Sequence, residues 1–204
     1  MSHDVKIASI PTSTTVEDPP PGWGFTISEF REPALDRDAF LKQPRAPITV
    51  VLDRVKGAHD IGAIFRLADG FLVDRVVICG PKIDVRRRKL VQAAAGTQAW
   101  VPWGRAKNTA AVVADIKASS ACVVVAHHSG GNSLVDALPP ALPVCLVLGS
   151  DKHGLSQDIL DLADAVVRIP MLGMANALNV STTAAILLQW LSGPRQATTD
   201  GRTG

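Results

Sequence analysis

Arg66 is the residue of this chain whose type and placement first suggest chemistry. It lies in Lys56-Gly57-Ala58-His59-Asp60-Ile61-Gly62-Ala63-Ile64-Phe65-Arg66-Leu67-Ala68, just after the β-rich run Ile48–Leu52. A guanidinium beside the end of a strand can grip a phosphate or lower the pKa of a nearby hydroxyl. The same pattern also suits a solvated surface arginine in the second turn of a helix. Asp60 would then be the N-cap, accepting unpaired backbone N–H groups. A second segment, Leu146-Val147-Leu148-Gly149-Ser150-Asp151-Lys152-His153-Gly154-Leu155-Ser156, runs from an apolar stretch into a polar turn flanked by glycines. Those glycines permit close backbone approach to a ligand, while Ser156 fits the cap of a following helix. In the third, Val166-Val167-Arg168-Ile169-Pro170-Met171-Leu172-Gly173-Met174-Ala175-Asn176-Ala177-Leu178-Asn179-Val180-Ser181, a strand stops at a proline and a loop leads into a helix. Asn179 and Ser181 either cap that helix or present hydrogen bonds to a ligand in the loop. The densest basic run, Arg86-Arg87-Arg88-Lys89, is either a solvated helix start or a grip on phosphates, with Arg54, Lys152 and His153 as possible additions.

The frame that must position these residues is α/β. Val/Ile/Leu-rich runs occur at Ile48–Leu52, Arg75–Cys79, Cys122–Ala126, Val144–Leu148 and Ala165–Ile169. Helical spacing occurs at Ile61–Phe71, Arg87–Ala95, Thr109–Ser119, Gln157–Ala163 and Leu178–Leu191. In the first helix Ile64, Leu67, Ala68 and Phe71 form the apolar stripe, and Val180, Ala184, Leu187 and Leu191 do so in the last. Continuous apolar strands separated by helices predict a parallel sheet with helices on both faces. Such sheets bind ligands at the carboxyl ends of their strands, where each of the segments above begins.

Composition narrows the classes further. Of 204 residues, 47% are hydrophobic and 20% charged, as in an ordinary globular domain. With no Tyr, five Phe and four Trp, aliphatic side chains must fill the core. The formal net charge of +2 is too small for a whole-molecule field, so a nucleic-acid partner needs a local basic patch. Cys79, Cys122 and Cys145 sit in apolar runs and read as buried free thiols. No apolar run approaches the length of a membrane span, no signal peptide is evident, and a cytoplasmic protein is expected. Residues 1–46, with Pro19-Pro20-Pro21-Gly22 and a weak helical stretch near Asp36–Leu41, read as a partly irregular extension, residues 47–192 as the domain, and 193–204 as a flexible tail. Trp23, Trp100 and Trp103 could stack on bases, although the last two also suit the core or a subunit contact. His127 and His128 end a strand and face opposite ways, so no metal site is expected. No Gly-x-Gly-x-x-Gly turn follows a strand, which disfavours a nicotinamide oxidoreductase.

Taken together and in this order, the three segments resemble the motifs of the SpoU (TrmH-like) family of RNA 2′-O-ribose methyltransferases in the SPOUT superfamily. The likeness covers roughly residues 48–192 and is densest over 142–191. It implies S-adenosylmethionine as cofactor and a ribose 2′-hydroxyl of transfer or ribosomal RNA as substrate. Arg66 matches the arginine that activates that hydroxyl, with Asn179, Ser181, Asp60 and Asp151 near the reacting centre. Gly149, Ile169 and Leu178 match the backbones that cradle the adenosine part, with Ala126, Leu148, Ser150 and Met171 around them. Arg54, Arg86, Arg87, Arg88, Lys89 and Lys152 are then the RNA-binding cations. The resemblance further implies a C-terminal trefoil knot and a homodimer with its active site near the subunit interface. Three positions depart from the family pattern: Asp60 stands for asparagine, Asp151 for glutamate and Ala177 for serine. These leave open a weak or inactive relative that still binds cofactor and RNA.

Overall fold

The computed structural model describes residues 42–127, 131–134, 140–150 and 153–192. The expected aliphatic runs become five strands: β1 (Ala46–Asp53), β2 (Val73–Cys79), β4 (Cys122–Ala126), β6 (Val144–Gly149) and β7 (Ala165–Arg168). Two more, β3 (Trp103–Ala106) and β5 (Asn132–Ser133), were not anticipated. All pair in parallel in the order β3-β2-β1-β6-β4-β7-β5. The most apolar strands are therefore central, and the two short polar ones are the edges.

Period-two alternation divides the core between the faces of the sheet. Ile48, Val50 and Leu52 of β1 join one cluster with Leu146 and Leu148, while Val51 joins Cys145 and Val147 in the other. Helices α1 (Ala58–Gly70), α2 (Arg88–Ala94) and α5 (Val180–Ser192) cover the first face. Helices α3 (Thr109–Ala118) and α4 (Gln157–Leu160) cover the second. Because both faces are covered, the central strands are apolar at most positions, with Thr49 and Asp53 of β1 as polar exceptions.

Helix α1 departs from expectation at its start. It begins at Ala58 with Gly57 at the cap position, so Asp60 lies within the first turn and is not the N-cap. Arg66 consequently falls in the third turn rather than the second. The buried stripe is Ile61, Ile64, Phe65 and Ala68, with Leu67 and Phe71 only half-buried. Gly62 explains the rotation of that stripe: a Cβ there would stand 2.3 Å from the Leu90 carbonyl oxygen and 2.8 Å from the Ala93 Cβ. Its absence lets α2 lie close against α1.

No disulfide links the cysteines: Cys79 and Cys145 are buried and Cys122 is partly so. Burial pushes the Cys79 thiol up to about 11 and the Cys145 thiol to about 12. A raised folded pKa means that the neutral thiol is favoured by folding. That contribution is complete below the unfolded value near 9.0 and is lost as pH rises through about 11 to 12. Iodoacetamide at pH 8 should accordingly modify Cys122 first and leave Cys145 nearly untouched by mass spectrometry. Labelling of native Cys145 as fast as free cysteine would contradict this burial.

Candidate functional site

Strands β4, β6 and β7 end side by side at Ala126, Gly149 and Arg168. Beyond them opens a cleft of about 300 Å³, the lower end of the range for small-molecule sites. All seven residues expected around the cofactor line it: Ala126, Leu148, Gly149, Ser150, Ile169, Met171 and Leu178. His127, Asn176 and Thr183 also line it and were not anticipated as lining residues. His127 directly follows β4, so a strand end could have suggested it, whereas Asn176 and Thr183 come from the loop and last helix beyond β7 and carry no such signal.

The floor of the cleft is built from backbone. Gly154 has φ +58° and donates its N–H to the Ser150 carbonyl at 2.9 Å, closing the turn after β6. A Cβ on Gly149 would lie 2.6 Å from both the carbonyl carbon and oxygen of Gly154. Only glycine at 149 lets the strand end and the turn lie in contact. Ser156 occupies the cap position of α4 without a side-chain capping bond. Asp151 and Lys152, expected in catalysis and RNA binding, lie outside the described residues, as do Trp23, His128 and the Asp36–Leu41 stretch.

A buried carboxylate braces this turn. Asp53, 3% exposed at the end of β1, accepts from Thr109 Oγ1 at 2.5 Å and from Arg54 Nε and Nη2 at 3.0 and 2.8 Å. Arg54 adopts φ 54°, in the left-handed region that a non-glycine residue enters only when its surroundings compensate. Its backbone N–H reaches the Cys79 carbonyl at 3.0 Å, and Nη2 reaches the Gly154 carbonyl at 3.4 Å. Arg54, expected as a cation for RNA, also has a partner within the chain, although its side chain remains 40% exposed. Its guanidinium neutralises Asp53 and leans on the glycine turn.

Polar groups from both ends of the domain meet at the start of α5. Asn179 Nδ2 donates to Asp60 Oδ1 at 2.9 Å, across 119 positions of sequence. Asn179 Oδ1 in turn accepts from the Ser181 backbone N–H at 2.9 Å and from Ser181 Oγ at 2.6 Å. Asn179 thus caps α5, while its amide joins α5 to α1. The carboxylate expected to cap its own helix instead receives a donor from the last one.

Arg66 is exposed and does not line the cleft. It shares with Ser181 and His59 a shallow groove between α1, α2 and α5. The first turn of α5 separates the two depressions: Val180 and Thr183 line the cleft, whereas Ser181 and Thr182 line the groove. Within one chain, then, Asp60, Asn179 and Ser181 come together, and Arg66 lies across the helix from the expected cofactor residues. Leu172 and Met174 stand fully exposed in the loop before α5.

Arg86, Arg87, Arg88 and Lys89 are exposed where β2 leads into α2. Trp100 donates from Nε1 to Asp69 Oδ1 at 2.7 Å, and Trp103 meets Phe65 edge-on at 6.1 Å between ring centroids. Both tryptophans belong to the packing around α1. Among the described residues no group of three His, Cys, Asp or Glu side chains could hold a metal ion, and no helix is long and apolar enough to cross a membrane.

Comparison with known proteins gives this geometry its context. The SpoU rRNA Methylase family matches residues 47–189. The tRNA (guanosine(18)-2′-O)-methyltransferase of Escherichia coli K12 is 31% identical over 156 residues, covering 76% of this chain and 67% of that enzyme. Among solved structures, the A. aeolicus TrmH/SpoU tRNA modifying enzyme aligns with a TM-score of 0.68 and 26% identity, over 78% of this chain and 80% of that one. The AdoMet-bound rRNA methyltransferase of Sinorhizobium meliloti aligns at 0.67 with 28% identity, over 72% of this chain but only 56% of its own. The match spans the cleft, the turn after β6 and most of α5, and this chain belongs to the SpoU rRNA methylase family.

Proposed function

We propose that this chain transfers a methyl group from S-adenosylmethionine to a ribose 2′-hydroxyl of transfer or ribosomal RNA. The observation that carries this reading is the convergence of all seven expected cofactor residues on one cleft, in a chain of this family. The cleft also fits the cofactor chemically. Its apolar walls, Leu148, Ile169 and Leu178, suit an adenine ring, and Asn176, Thr183 and exposed backbone supply hydrogen-bonding groups. Solved relatives with bound AdoMet support the same cofactor.

The sulfonium cofactor supplies an activated methyl group together with its own leaving group. The chain's residues must align the 2′-oxygen and help it lose a proton. An arginine stays protonated near neutrality, so Arg66 acts by stabilising the developing alkoxide rather than as a base. Asn179 and Ser181 hold the loop and α5 in register with α1 through Asp60, and Asp151 serves beside them near the reacting centre. Arg86, Arg87, Arg88, Lys89 and Lys152 contact RNA phosphates.

Arg66 and the cleft lie on opposite sides of one helical turn, which favours a homodimer in which a second copy covers the groove. Ala63, Leu67, Phe71 and Ala185 give that groove an apolar floor suited to such a contact. A C-terminal trefoil knot and a cytoplasmic location complete the reading, the former because SPOUT-like neighbours share the sheet and the latter because RNA is the substrate.

The test is transfer of labelled methyl from S-adenosylmethionine to bulk RNA lacking its own modifications, followed by nuclease digestion to locate the label. Label at ribose 2′-oxygens supports the reading. Cofactor binding by calorimetry without any transfer would favour an inactive relative, and absence of cofactor binding would overturn the assignment.

A further inference from the structure

We propose that the β2–β3 edge of the sheet is a track for RNA phosphates, in which Lys82, Arg105 and Lys107 extend the Arg86–Lys89 cluster. The proposal rests on the RNA methyltransferase reading and adds to it the path of the substrate. From residue 82 to 107 the chain carries seven cations and a single acid, Asp84. That acid is exposed but engaged within its own loop, accepting the Arg86 backbone N–H at 3.0 Å and pairing with Arg86 Nε at 3.5 Å. Its carboxyl is held below the usual range chiefly by that backbone bond.

The fold brings the remaining cations to one place. Lys82 follows β2 and Lys107 follows β3, and the two strand ends are joined by the Gly80 N–H donating to the Ala106 carbonyl at 3.0 Å. Arg105 stands opposite Ile78 in the register, its guanidinium 5.8 Å from the Trp103 ring centroid. Lys82, Arg105 and Lys107 are all exposed, and none makes an ion pair among the described residues. Like charges gathered without counter-charges repel one another and add nothing to folding, so the arrangement suits an anionic partner.

The opposite side of the sheet carries no such excess of cations among the described residues. Beside β7, Asp158, Asp161 and Asp164 are exposed, with Lys117 engaging Asp164 at 2.6 Å. Lys117 and the exposed Arg168 offset part of that acidity, so the contrast lies in the β2–β3 edge having seven cations to one acid although the net charge of the chain is only +2. Edge strand β3 is three strands from β6 in the sheet order, about 14 Å at the usual strand spacing. The track thus serves nucleotides flanking the one whose ribose enters the cleft. Cations that contact phosphates position the RNA without reading its bases, so the contact is independent of sequence.

The experiment measures binding of an unmodified transfer RNA transcript pool to the full chain by fluorescence anisotropy over a range of salt concentrations. Wild type is compared with Lys82→Ala/Arg105→Ala/Lys107→Ala, and S-adenosylmethionine binding is measured on both. The triple variant should bind RNA on the order of tenfold more weakly near 0.1 M salt, and its log–log salt slope should fall by roughly two units. Its cofactor binding should be unchanged. Lys82→Arg/Lys107→Arg keeps the charges and should keep the wild-type slope; a loss equal to that of the alanine variant would overturn the track. Wild-type affinity and slope in the alanine variant, with wild type active in methyl transfer, would overturn the track and leave the methyltransferase reading standing. Failure of the wild type itself to bind or methylate RNA would overturn both.

Discussion

Arg66→Ala should lower methyl transfer by at least about a hundredfold, the scale expected when a preorganised charge is removed from a developing oxyanion. S-adenosylmethionine affinity and thermal stability should stay close to wild type. The separation follows from position: Arg66 is exposed, lies off the buried stripe of α1 and does not line the cleft. Within one chain, an exposed substitution of this kind shifts stability by about 0.5 kcal/mol or less. Arg66→Lys keeps the charge but loses the planar fork, and should recover only part of the rate. Single-turnover transfer and calorimetry on the same preparations make the comparison. Wild-type turnover in the alanine variant would remove Arg66 from the mechanism, and a matching loss of cofactor affinity would place it in the binding site.

Gly149→Ala should act in the opposite way, weakening the cofactor at least tenfold, about 1.4 kcal/mol of binding free energy. The added methyl would collide with the Gly154 carbonyl group and come within 3.0 Å of the Leu155 nitrogen. These are backbone atoms, so the whole turn must shift, and its Ser150 bridge and the Arg54 contact shift with it. Overpacking of this kind also lowers stability by about 1–3 kcal/mol. Isothermal titration with S-adenosylmethionine, beside a thermal melt, reads both effects. Unchanged affinity would mean that the turn after β6 does not form the cofactor floor.

The cleft was legible in the sequence because its residues follow strong local signals. Leu148, Gly149 and Ser150 stand where an apolar run stops, and Ile169 precedes a proline, so local pattern marked the strand ends, while the resemblance to the family motifs singled out these residues for the cofactor. Strand β4 matches its expected limits for the same reason, with four of its five residues Val or Ala and the other Cys. The edge strands were missed because Trp-Gly-Arg-Ala and Asn-Ser carry no apolar run, and pairing with β2 or β7 alone makes them strands. The helix α4 stops at Leu160, short of Ala163, since Leu162 and Ala163 pack from a turn rather than from a helical face. Local pattern could not foresee the task of Asp60. A carboxylate near a helix start reads as a cap, and nothing nearby announces an amide from Asn179. Arg54 illustrates the same limit, since its charge was evident but its buried partner was not.

The bond between Asp60 and Asn179 also bears on when the protein becomes competent. Synthesis delivers α1 early, while its partner residue emerges 119 positions later. Until α5 leaves the ribosome, the face of α1 that meets it lacks its cover, and Val180 and Thr183 are not there to wall the cleft. Contacts that distant in sequence form after local ones because loop closure precedes any reward. A nascent chain therefore holds no finished pocket at any intermediate length, and methyl transfer cannot begin before translation of the domain has ended.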